Sequence, residues 1–201
     1  MKTKGDYKHW EDSQYSASVL TDKVVTFLSM SGNFTNIEEY DDYLIKQLDL
    51  NAGMDVLCQT GSHMYGIAQR IQSISSLHPC YNTFTVRSER HTGTITELQK
   101  RKEAIENEYL YPKYTLQAYI DTNNNNNIRS AAYIKTKDLF NFVETHPELV
   151  SKNSSDNEFI YVDWKDLANN NYSIITRGEH NNITASLADE KAIMRNKLKI
   201  N

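Results

Sequence analysis

The sequence predicts an α/β fold on three observations. Two stretches carry apolar residues at helical spacing, several short runs alternate apolar and polar side chains, and one link between such runs is long enough for a helical crossover. With 201 residues the chain can bury one core and a small appendage. The first helix is expected from Asn36, an N-cap candidate followed by Glu38 and Glu39 in the first turn. Ile37, Leu44 and Leu48 form its apolar stripe, and Asp41 lies on that stripe. Asn51-Ala-Gly53 ends the helix.

Two strands then flank the turn Thr60-Gly-Ser-His63, the first opening Met54-Asp55-Val56 and the second running through Tyr65–Gln72. Alternation puts Arg70 and Gln72 on one face of the second strand. Residues 73–82 read as a loop or a frayed strand end, and Thr83–Arg87 as a third strand. Thr94-x-x-Glu97 and Thr96-x-x-Gln99 match capping boxes for a helix that runs to Tyr109, with Leu98, Ile105 and Tyr109 in line and Arg101 and Lys102 between them. Pro112 separates that helix from a strand over Tyr114–Ile120.

The Asn123–Asn127 run suits an exposed turn. An extended segment over 128–136 follows, then a helix stopped by Pro147, a polar linker over 151–157, a strand at Phe159–Val162, a short helix capped by Asp163, and a strand at Tyr172–Thr176. The tail from Ala185 reads as an amphipathic helix with a basic end. The organisation is thus an N-terminal segment (1–35) packing on the core, a core (36–121), an extension of the same domain (128–180) and a C-terminal helix (185–201).

Composition excludes several classes. No apolar run approaches the roughly 18 residues of a membrane span. The N-terminus lacks an apolar signal core, so a cytoplasmic location is expected. Cys58 and Cys80 are the only cysteines and stand in no Cys/His cluster. The formal charge of −4 argues against coating nucleic acid by net charge. Between His63 and Lys113, however, seven Lys/Arg face five Glu, so the middle of the chain is its more basic part.

The succession helix, three strands, helix, strand, with Asp55 heading the first hairpin, resembles the core of the PD-(D/E)XK nuclease superfamily over residues 36–120. The resemblance implies a restriction-endonuclease-like core, a Mg²⁺ ion held by Asp55 and by Asp41 as the extra carboxylate, and hydrolysis of nucleic-acid phosphodiesters, DNA foremost. The Glu-x-Lys of the family is absent. Arg70-x-Gln72 stands in its place, or Gln69 if the register slips by one.

Arginine holds its proton above pH 12, so Arg70 suits a phosphate charge better than it suits activating water. Asp55, Arg70 and Gln72 are the expected catalytic residues, and Arg87, Arg90, Arg101 and Lys102 the expected nucleic-acid contacts. The plainer readings are an Asp55 satisfied by backbone amides and an Arg70 paired with Asp55. The alternative function is a non-catalytic nucleic-acid- or protein-binding module. The C-terminal helix offers a surface for a second copy or a protein partner.

Overall fold

The computed structural model describes residues 19–39, 43–89, 95–122, 124–153 and 156–179. Asp41, Arg90 and the C-terminal helix expected over 185–201 lie outside the described residues. A first helix is seen over residues 19–27 (α1). Strand β1 (Asn33–Asn36) follows, then a single 3₁₀ turn at Ile37–Glu39, a short α2 (Tyr43–Gln47) and a π-helical turn (Leu48–Ala52). The helix expected from Asn36 is therefore displaced. Asn36 closes a strand, where it pairs with Val56, and Ile37 buries among Ala52, Met54 and Leu57. The extended pairing with β2 satisfies backbone groups that a helix would have to satisfy internally.

Strands β2 (Val56–Thr60) and β3 (His63–Ile74) form the expected hairpin, with Val56 opposite Ile67. Strand β4 (Thr83–Arg87) leaves the main sheet and pairs with β8 (Asp156–Asp163), which also pairs with β7 (Val150–Asn153). The run expected as a third core strand thus belongs to a second sheet, and residues 151–153 and 156–157 of the expected polar linker lie in paired strands of that sheet.

Helix α3 (Glu97–Glu106) then carries the chain to β5 (Tyr114–Asp121), which lies parallel to β3. Its capping box forms as expected: Thr96 Oγ1 accepts from Gln99 N–H and Gln99 Oε1 accepts from Thr96 N–H. Strand β6 (Asn124–Lys135) returns antiparallel beside β5. Four of the five asparagines expected in a turn fall in this strand. They lie at the irregular end of the hairpin, where Ile120 pairs with Ile128 and Asp121 with Asn124.

Helix α4 (Thr136–Thr145), α5 (Trp164–Asn169, capped by Asp163) and β9 (Ile174–Gly178) complete the fold. The main sheet runs β1-β2-β3-β5-β6-β9 and the second β4-β8-β7. Residues 128–178 are not peripheral, because β6 and β9 extend the main sheet and β8 holds β4.

The strand register divides the side chains between two faces. Val56, Cys58, Ile67, Leu116, Ala118 and Ala131 pack against Val24, Val25 and Leu28 of the N-terminal segment. On the other face Tyr119, Ala132 and Ile134 meet Phe84 and Val86 of β4, Ile160 and Val162 of β8, and Leu139 and Phe142 of α4. Among the described residues no helix is long and apolar enough to cross a membrane.

Candidate functional site around Asp55

The backbone that delivers Asp55 is set by the π-helical turn. Gly53 N–H donates to Asp49 O (2.8 Å) and Met54 N–H to Leu48 O (3.2 Å). Gly53 itself is left-handed, at φ 59 and ψ 46. A Cβ there would lie 2.7 Å from Arg101 Nη2. Gly53→Ala should therefore cost about 2 kcal/mol, from left-handed backbone strain plus displacement of Arg101. A denaturant midpoint unchanged from the parent would sink that account.

Beyond the turn, Asp55 N–H donates to Ile67 O and Asp55 O accepts from Ile37 N–H, both at 2.9 Å. This fixes Asp55 at the head of β2, beside β3. Its Oδ2 accepts from the Gln69 backbone N–H at 2.6 Å. The carboxyl is nevertheless pushed up to about 7, first by burial; the Gln69 amide and Arg101 pull it down, and Asp49 and Glu97 push it further up.

Asp55 opens on a pocket of about 400 Å³ on the α3 face of the main sheet, together with Asp49, Arg70, Glu97, Lys100 and Arg101. Asp55 and Arg70 thus share one face, but they are not paired. Arg70 Nη2 donates to Glu97 Oε2 at 3.0 Å, and its guanidinium lies over the Phe159 ring. Glu97 also accepts from Arg87 N–H at 3.2 Å. Gln72 accepts from Gln117 Nε2 at 3.1 Å and does not line the pocket; Gln117, 1% exposed, does. Gln69 turns its side chain to the opposite face, donating to Thr21 Oγ1 at 2.7 Å, so the slipped register is not adopted.

Of the four expected nucleic-acid contacts, Arg101 lies deepest. It is 4% exposed, and its guanidinium donates to Ala52 O and Gly53 O. It thereby ties α3 to the turn that carries Asp55. Burial lowers its pKa, and the negative charges of Glu97, Asp55 and Asp49 oppose that. Lys102 pairs with Glu144 at 3.0 Å, tying α3 to α4. Arg87 lies over Phe159 at 4.8 Å from the ring centroid. Arg90 and the metal candidate Asp41 lie outside the described residues.

Sequence reasoning missed Glu97, Lys100, Asp49 and Gln117 as members of the site. The available signal was on α3. Glu97 and Arg101 stand four apart on a helix whose stripe also carries Leu98 and Ile105, so the arginine was flanked by inward-facing residues.

Among the described residues no three His, Cys, Asp or Glu side chains come together as a ready-made cation site. Magnesium asks for less, being satisfied by one or two carboxylates with water and phosphate oxygens. Asp55, one of whose carboxylate oxygens accepts from Gln69 N–H, and Asp49, which lines the same pocket, are the described residues that could supply those carboxylates.

The chain matches no protein-family model and no curated protein.

Proposed function

We propose that this protein is a metal-dependent hydrolase of nucleic-acid phosphodiesters, built on a restriction-endonuclease-like core. One observation carries the reading: a buried carboxylate at the head of a hairpin shares a pocket with three cationic side chains, Arg70, Lys100 and Arg101. The sheet supports it too. Strands β1, β2 and β3 run antiparallel, and a path through α3 leads to β5, parallel to β3. The hairpin and the helix-linked parallel strand match the PD-(D/E)XK resemblance, whereas its third strand, Thr83–Arg87, pairs in the second sheet.

Asp55, with Asp49 beside it, would hold Mg²⁺, which supplies a Lewis acid for the phosphoryl oxygen and a more acidic bound water. Lys100, on α3, offers the ammonium that β3 lacks. Arg70 offers a fixed positive charge for the phosphate, oriented by Glu97 and by the Phe159 ring. Arg101 keeps the Asp55 turn in place.

The test is cleavage of labelled single- and double-stranded DNA and RNA in Mg²⁺ or Mn²⁺. Asp55→Ala should lower the rate at least about 100-fold. Cleavage that survives Asp55→Ala would overturn the assignment.

A second reading, a binding module without catalysis, draws on the residues that β3 turns to the pocket face. They are Ala68, Arg70 and Gln72, none of them a carboxylate, and Arg70 is already paired. Tight binding of every substrate with no cleavage of any would favour it.

A further inference from the structure

We infer that Lys113, Lys135 and Lys137, with the tyrosine rings beside them, form a track that binds the backbone of a nucleic-acid strand at the end of the main sheet. The inference rests on the reading of a nucleic-acid ligand proposed above, but not on catalysis.

These lysines line a cavity of about 420 Å³ with Tyr111 and Asp138, so three ammonium groups gather against one carboxylate. All three are exposed. Most other cations of the described residues are occupied within the fold. Arg70 pairs with Glu97, Lys102 with Glu144, Arg129 with Glu179 and Lys152 with Glu89, while Arg177 donates to Phe27 O. Lys113, Lys135 and Lys137 have no ion pair with a described carboxylate.

Neighbouring like charges repel, and an extended anion relieves that repulsion. The cavity also sits at the N-terminus of α4, where no side chain caps the helix and the dipole adds positive potential.

The aromatic residues favour a nucleic acid among anions. Lys113 Nζ lies 4.9 Å from the Tyr65 ring centroid and 5.4 Å from that of Tyr114. Tyr65, Tyr114 and Tyr133 meet edge to face at 5.4 and 5.6 Å. Partly exposed rings braced in this way offer stacking surfaces to unpaired bases, next to lysines for the backbone.

The track ends close to the Asp55 pocket but on the other face of the main sheet, since Tyr114 pairs with Ile67 and Tyr133 with Leu116 on the face that α1 covers. Thr115 lines that pocket and follows Lys113 by two residues of β5, about 7 Å along a strand. Its Oγ1 lies 3.0 Å from that of Thr136, the residue between Lys135 and Lys137.

The experiment measures binding of labelled single-stranded DNA, duplex DNA and single-stranded RNA to the full chain carrying Asp55→Asn, which removes cleavage from the readout. It is repeated with Lys113→Gln, Lys135→Gln and Lys137→Gln added together, and with Lys165→Gln as a control on another face. The triple change should weaken single-strand binding at least about tenfold. It should also reduce the slope of log K against log salt by about two, since each phosphate contact on a single strand contributes about 0.7.

An unchanged affinity and slope would overturn the inference, as would an equal loss with Lys165→Gln. Failure to bind any nucleic acid would do the same, as would lysine-dependent binding to phosphatidylserine vesicles alone. Lysine-dependent binding without cleavage by the parent protein would sink the catalytic reading and leave the track standing. Cleavage with lysine-independent binding would do the reverse.

Discussion

Asp55→Asn should stabilise the folded protein at pH 8 and change it little at pH 4. Burial pushes the Asp55 carboxyl from its ordinary 3.8 up to about 7 in the folded chain. Between those values the unfolded chain has released the proton and the folded chain still holds it. Stability therefore falls as pH rises from about 4 to about 7 and is level above that. The span from 3.8 to about 7 sets the loss at about 4 kcal/mol.

Asparagine keeps an oxygen to accept from Gln69 N–H and never ionises, so the variant should escape most of that loss. Denaturant unfolding of both proteins at pH 4, 6 and 8 measures it. A parent curve flat with pH would show that the carboxylate is not held unneutralised in the fold. Added Mg²⁺ at pH 8 should raise the stability of the parent, by about 2.7 kcal/mol at a hundred times its Kd, and leave the Asn variant unchanged. A site tuned for ligand rather than for the empty fold has this behaviour.

Arg101→Met is the second large effect, in the opposite direction, with an expected loss of about 3–5 kcal/mol. Methionine fills part of the space of the arginine stem but leaves the Ala52 and Gly53 carbonyls without their shared donor. It also removes the positive charge that opposes protonation of Asp55, so the Asp55 carboxyl should titrate still higher, an outcome readable by carboxyl NMR. Arg101→Lys should recover only part of the stability, because a single ammonium cannot present the planar fork that reaches both carbonyls. A loss below about 1 kcal/mol for Arg101→Met would mean that the guanidinium is incidental to the Asp55 turn.

Parts of this molecule were legible because their causes are local. The Thr96 capping box, the Asp163 cap and the Gly53 terminus each need only a few consecutive residues, and each forms as expected. The Asp55 hairpin was legible for the same reason, since a tight turn joins two alternating runs.

The first helix misled because Asn36, Glu38 and Glu39 look like a helix start, while the deciding partner of Asn36 is Val56 on another strand. Thr83–Arg87 is extended, as its alternation predicts, but it lies in the second sheet, because its partner β8 is more than 70 residues away. Arg101 carried the same ambiguity. A long cation on an apolar stripe can reach outward or be taken up inside, and here the carbonyls at Ala52 and Gly53 take it up.

The sequence by itself therefore determined the α/β class, the capped helices, the Asp55 hairpin and the face shared by Arg70 and Gln72, all governed by spacing along one chain segment. Tertiary structure alone decided that Arg70 pairs with Glu97, that Gln72 serves Gln117, and that Lys100 and Arg101 join Asp55. Those contacts depend on how α3 crosses the sheet. Burial, which only the assembled fold supplies, lifts the Asp55 carboxyl to about 7.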